Sequence, residues 1–135
     1  MIARALAWLV VVGAAVAAVQ PAAARLAFKN GETAVVVRRS IGASRTVHYI
    51  VDGNAGDHFI VRFEGKSGHC MRTTVTPPSG RDATTQSGGG AYDGTLNESG
   101  TYRIDVTNHV DVNAGCRALA RTITMRVELA HSSGS

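Results

Sequence analysis

The sequence predicts an all-β chain, folded as an antiparallel β-sandwich of the jelly-roll-like kind and tied by one disulfide. Three observations carry that expectation. Apolar and polar residues alternate in several short runs, most cleanly where Tyr102, Ile104 and Val106 oppose Arg103, Asp105 and Thr107. A pleated strand buried on one face requires such a period of two. Clusters of Gly, Pro, Asn and Ser separate these runs, as turns between strands do. No stretch beyond residue 24 sustains the 3.6-residue apolar period of a packed helix.

The elements follow in order. Leu26-Ala27-Phe28 is a short apolar start before the turn signal Lys29-Asn30-Gly31. Thr33 to Val37 is β-branched and reads as a strand, followed by Arg38-Arg39-Ser40 and a connection over Ile41 to Ser44. Thr46 to Val51 alternates, with Val47, Tyr49 and Val51 inward and His48 and Ile50 outward. The stretch from Asp52 to Asp57 reads as a hairpin turn, and Phe59, Val61 and Phe63 form the next inward row. Gly65 to Gly68 breaks the chain again. His69 to Thr76 reads as a strand carrying Cys70, stopped by Pro77-Pro78-Ser79-Gly80. Arg81 to Gly90 is polar and reads as a loop, and Tyr92 to Leu96 as a short strand. Gly100, before the central alternating stretch, supplies the positive φ that a tight turn needs. Asn108 to Ala120 is irregular, with at most a single helical turn near Arg117 to Arg121. Ile123, Met125, Val127 and Leu129 form the last inward row.

The ends have their own logic. A positive start containing Arg4, an apolar run from Ala5 to Val19 and the small residues Ala22-Ala23-Ala24 make residues 1–24 a signal peptide, cut after Ala24. That places the product in the periplasm or outside the cell, with no membrane segment after cleavage. The 135 residues then leave a single domain over 25–131, with 132–135 as a disordered tail. Without Arg4, 13 basic side chains face 10 acidic ones, well spread. Nucleic-acid binders cluster their charge and add stacking aromatics, so nucleic acid is excluded as a partner. Cys70 and Cys116 are the two cysteines. In an oxidising compartment they pair, and neither shows the CxxC spacing of redox or zinc sites.

Catalytic and metal constellations do not form. The five histidines, His48, His58, His69, His109 and His131, lack convergent ligand spacing; a Cys2His2 set of Cys70, Cys116, His69 and His109 would need reduced thiols. Asp52 to Asp57 lacks the order of a calcium loop. Ser79 and Ser99 adjoin glycines but lie in no GxSxG elbow. Glu64, Asp105 and Glu128 fall outward on strands. The reading is therefore a binding protein, not an enzyme, with no cofactor and no metal.

The strand pair VHYIVDG and HFIVRFEG around the NAGD turn, the strand ending in PPSG, and SGTYRIDV followed by ITMRVEL together resemble the bacterial pre-peptidase C-terminal (PPC-like) β-sandwich. Within that architecture they are most similar to the periplasmic inhibitors of goose-type lysozyme. The resemblance spans roughly Thr46 to Leu129. It implies a protein partner, a lysozyme-like peptidoglycan hydrolase, contacted through the loop before the last strand. The matching loop here is Asn108 to Arg121, with His109, Arg117 and Arg121 as contact residues. Guanidinium groups on a rigid loop would suit a glycosidase cleft, whose catalytic groups are carboxylates. The alternative is a carbohydrate- or cell-envelope-binding module that stacks a tyrosine (Tyr49, Tyr92 or Tyr102) on a sugar. The alternation turns Tyr49 and Tyr102 inward and leaves Tyr92 for that role.

Overall fold

In the computed structural model, residues 23–28, 32–86 and 92–131 are described. They form β1 (Ala24–Arg25), β2 (Ala34–Ile41), β3 (Thr46–Gly53), β4 (His58–Glu64), β5 (Met71–Thr76), β6 (Thr84–Gln86), β7 (Tyr92–Thr95), β8 (Gly100–Asn108) and β9 (Arg121–Ala130). One sheet has the order β1-β3-β8-β5-β6 and the other β2-β9-β4-β7. Pairing is antiparallel except for β1, which lies parallel to β3. Of the leader expected over residues 1–24, only Ala23 and Ala24 fall within the described residues, and the tail at 132–135 lies outside them. Among the described residues no helix is long and apolar enough to cross a membrane.

The period-two rows close into the core as the pattern demands. Tyr102, Ile104 and Val106 of β8 face Phe59 and Val61 of β4 and Ile123, Met125, Val127 and Leu129 of β9, all buried. Burying each such side chain stabilises the fold by roughly 1.5–3 kcal/mol relative to leaving it wet. Tyr102 keeps its hydroxyl satisfied by reaching back across the turn before its own strand. It donates to the Glu98 carbonyl at 2.7 Å and accepts from the Glu98 amide at 3.1 Å. Gly100 sits in that turn at φ 140°, and an added Cβ would lie 2.9 Å from Pro78, so both backbone and space select glycine.

Several boundaries differ from the sequence pattern. β2 runs on through Arg38-Arg39-Ser40 to Ile41 instead of stopping at Val37. It is an edge strand, where charged side chains are tolerated and discourage edge-to-edge pairing. Residues 66–70 form a 3₁₀ turn, so β5 begins at Met71 and not at His69. The Asp52–Asp57 segment is not a hairpin, because β3 and β4 belong to different sheets. It is a corner, held by Asp57, whose buried carboxylate accepts from the Asn54 amide at 2.9 Å. Part of the expected 81–90 loop pairs with β5 as β6. The Arg117–Arg121 region holds no helical turn; a short 3₁₀ turn lies earlier, at Val112–Ala114.

Two buried tyrosines make a paired test. Among the described residues the Tyr49 hydroxyl has no hydrogen-bond partner, whereas that of Tyr102 has two. Tyr49→Phe should leave stability unchanged or raise it, and Tyr102→Phe should cost about 1–2 kcal/mol. Urea unfolding of both variants checks this; equal losses would contradict the assignment.

Candidate functional site

Apart from β5 to β6, consecutive strands from β2 onward lie in opposite sheets. Connections therefore gather at the two ends of the sandwich. One end collects the β2–β3 turn, the 3₁₀ turn before β5 and the β8–β9 loop. It is built around Asn108, the last inward residue of β8 and fully buried. Its side-chain amide donates to the Ile41 carbonyl at 3.0 Å and the Leu119 carbonyl at 2.7 Å, and its oxygen accepts from Arg121 Nη1 at 2.9 Å. Its backbone exchanges bonds with the β2–β3 turn, Ser44 N to Asn108 O at 2.9 Å and Asn108 N to Arg45 O at 3.0 Å.

The loop that follows is clamped at several points. The His109 amide donates to the Cys70 carbonyl at 2.9 Å, and Cys70 is joined to Cys116 with Cα atoms 5.5 Å apart. Asp111 and Cys116 exchange two backbone bonds of 2.8 Å, closing a small ring. The Asp111 carboxylate caps the short turn by accepting from the Asn113 and Ala114 amides. Gly115, at φ 75°, returns the chain to Cys116 in the left-handed conformation glycine favours. What the clamp presents is apolar at its tip: Val112 is 78 % exposed and Leu119 56 %.

The residues singled out by sequence reach this end but differ in availability. Arg117 is exposed. Arg121 is half-buried and committed to Asn108 and, at 3.3 Å, to the Leu119 carbonyl. His109 is half-buried, its Nε2 3.4 Å from Arg72 Nη2. A cavity of 290 Å³ lies against the disulfide, lined by His69, Arg72, His109 and Asp111 among others. Arg45 and Arg72 join the same basic end. Sequence reading passed them over because each sits singly at a strand boundary, far in sequence from the β8–β9 loop. Asn108 was passed over because an asparagine after an apolar row reads as a loop residue.

The remaining constellations resolve into local pairs. His69 Nε2 lies 3.3 Å from Cys70 Sγ, but both sulfurs belong to the bridge, so the Cys2His2 alternative has no thiolates. Asp105 is held by His48 and Arg103, Asp52 by Arg25, Asp93 by His58 and Asp57 by His131. A hydrogen bond from Arg126 holds the Glu128 carboxyl below the usual carboxylate range. Tyr49 and Tyr102 are buried, and half-buried Tyr92 packs on Phe59 with ring centroids 5.6 Å apart.

This geometry has relatives among solved structures. The periplasmic inhibitor of g-type lysozyme PliG from Aeromonas hydrophila superposes with a TM-score of 0.65 at 22% identity, covering 79% of this chain and 95% of that one. PliG from Salmonella Typhimurium gives 0.60 at 18% identity, over 78% of this chain and 95% of its own. A mutant of the Escherichia coli protein gives 0.59 at 16% identity, over 78% and 96%. The fold is therefore that of the PliG structures. No protein-family model and no curated protein matches the sequence.

Removing either anchor of the loop should be costly. Asn108→Ala leaves the buried Ile41 carbonyl without that donor and removes one bond each from the Leu119 carbonyl and the Arg121 guanidinium, at about 3 kcal/mol. Replacing both cysteines by serine should cost about 4 kcal/mol, given the 46-residue separation. Denaturant unfolding measures both, and hydrogen exchange should show the loss of protection spreading from residues 109–120.

Proposed function

We propose that the chain is an exported inhibitor of a lysozyme-like peptidoglycan hydrolase, acting by binding and not by catalysis. The observation that carries the reading is the clamped β8–β9 loop, an apolar tip among arginines on a fold shared with PliG. A wider PPC-like kinship belongs to the same reading. So does export, with cleavage after Ala24 and release to the periplasm or the outside; Arg25 would then open the mature chain and keep its pair with Asp52.

The physics of docking supports it. Catalytic clefts of glycosidases carry carboxylates, and a basic surface is steered towards them and then pairs through guanidinium forks. Arg45, Arg72, Arg117 and Arg121 bring that charge, while Asp111 spends its carboxylate on its own turn. Val112 and Leu119 supply apolar contact at the centre, where binding energy concentrates. A loop already ordered by a disulfide and by Asn108 loses little entropy on docking.

The test is a cell-wall clearing assay with goose-type lysozyme, run beside chicken- and invertebrate-type enzymes. The expected result is inhibition of the goose-type enzyme that weakens as salt rises. Arg117→Glu and Val112→Asp should each weaken it about tenfold or more. Their stability should change by no more than about 0.5 kcal/mol, because both side chains are exposed. Arg121 is a poor probe, since its removal also frees the loop. A protein that inhibits none of the three enzymes would refute the proposal.

A further inference from the structure

The opposite end of the sandwich holds a second, chemically different feature. A cavity of 170 Å³ opens between the β5–β6 and β7–β8 connections, lined by Arg81, Asp82, Tyr92, Asn97, Glu98 and Tyr102 among others. We propose that this cavity is a binding site for a single neutral pyranose, separate from the docking loop.

Its walls are fixed. The two oxygens of Glu98 accept from the Ser79 amide at 3.1 Å and the Ser79 hydroxyl at 2.9 Å, tying the two connections together. Tyr102 is bonded to the Glu98 backbone, and Tyr92 leans on Phe59. Burial, and then the neighbouring Tyr102, push the Tyr92 phenol above its ordinary range, so it stays a neutral donor and acceptor. Within these walls the side chains of Arg81, Asp82 and Asn97 are exposed, and none has a hydrogen-bond or ion-pair partner among the described residues.

Those three groups are a guanidinium, a carboxylate and a carboxamide, each planar and two-pronged. Such groups match the spacing of adjacent hydroxyls on a sugar ring, which both donate and accept. The Tyr92 ring adds an apolar surface for the C–H face of the ring, and the rest of the lining is mainly polar, which suits a ligand covered in hydroxyls. Charge selects the class. Arg81 is outweighed by Asp82 and Glu98, so an anionic sugar is repelled and a neutral one is not. Because β8 spans the sandwich between the two ends, sugar here leaves the 109–120 loop free.

The experiment is an NMR titration of the ¹⁵N-labelled chain with N-acetyl-D-glucosamine, with D-glucuronate as the anionic comparison. Saturable shifts should fall at residues 81–84 and 95–98, with a dissociation constant of about 1–10 mM, as befits so small a ligand. Glucuronate should bind at least fivefold more weakly. Asp82→Gly, which keeps the left-handed backbone of that position (φ 56°), and Asn97→Ala should each weaken binding about fivefold or more with little change in melting temperature, since neither side chain has a protein partner to lose. Arg117→Glu should bind the sugar as the parent does, which separates this site from the docking loop. Absence of saturable shifts, shifts centred on 109–120, parent-like binding by both pocket variants, or glucuronate binding as tightly as the neutral sugar would each overturn the proposal.

Discussion

The inward row of β8 continues one residue past the apolar core, and that residue is a buried amide. Everything at the basic end depends on satisfying it. A buried carboxamide without partners costs about 1–3 kcal/mol, so Asn108 must find donors and acceptors where water is excluded. It takes them from Ile41 on the edge strand and from Leu119 and Arg121 beyond the loop. One side chain thus links the central strand of one sheet, the edge strand of the other and both flanks of the β8–β9 connection. The disulfide adds an independent tether from the 3₁₀ turn before β5 to the middle of the same loop. With both in place, the 109–120 segment is irregular in dihedral pattern but not in position.

The legible part of the fold was its period of two. β3, β4, β8 and β9 are half-buried strands whose alternating rows leave little choice of face, and the structure buries the same rows. The illegible parts share a cause: they are set by partners distant in sequence. Arg38 and Arg39 look like the end of a strand, yet pairing with Thr124 and Ile123 of β9 carries them on in extended form. His69-Cys70 looks extended, but Gly65, at φ 79°, turns the chain first. The Asp52–Asp57 turn has hairpin residues, and only the sheet assignment of its neighbours shows it to be a corner. The site divides in the same way. Cysteine count and the expectation of export sufficed for the Cys70–Cys116 bridge. Nothing local distinguishes Arg117, which is exposed, from Arg121, which is bound to Asn108.

Chain crossing explains why this small domain has room for two unlike ends. From β2 on, the chain changes sheet at each connection except β5 to β6, so turns are dealt alternately to opposite poles. Arg45, Arg72, Arg117 and Arg121 collect at one pole; Asp52, Asp57, Asp82 and Glu98 collect at the other. Two of those acids are already paired, Asp52 with Arg25 and Asp57 with His131. The acidic pole is therefore milder in field than its residue count suggests, while the arginine pole keeps more of its charge unspent. A field arranged in this way orients the molecule before contact. Before an acidic surface such a field would bring the clamped loop first and turn the polar cavity away.

That orientation has a consequence for what rigidity is needed where. In the proposed docking the loop pole would meet a macromolecule, and ordering entropy lost on contact would subtract directly from affinity; a disulfide, a capped 3₁₀ turn and a buried amide all act there to reduce it. A sugar in the proposed cavity site would need only a few side-chain prongs around a small ring, and a single Glu98–Ser79 clasp between two connections holds them. Placing the covalent bridge at one pole only is thus consistent with unequal demands on the two ends. The core between them, with Ile104, Val106 and Val127 fully buried, is packed tightly enough to keep their separation fixed.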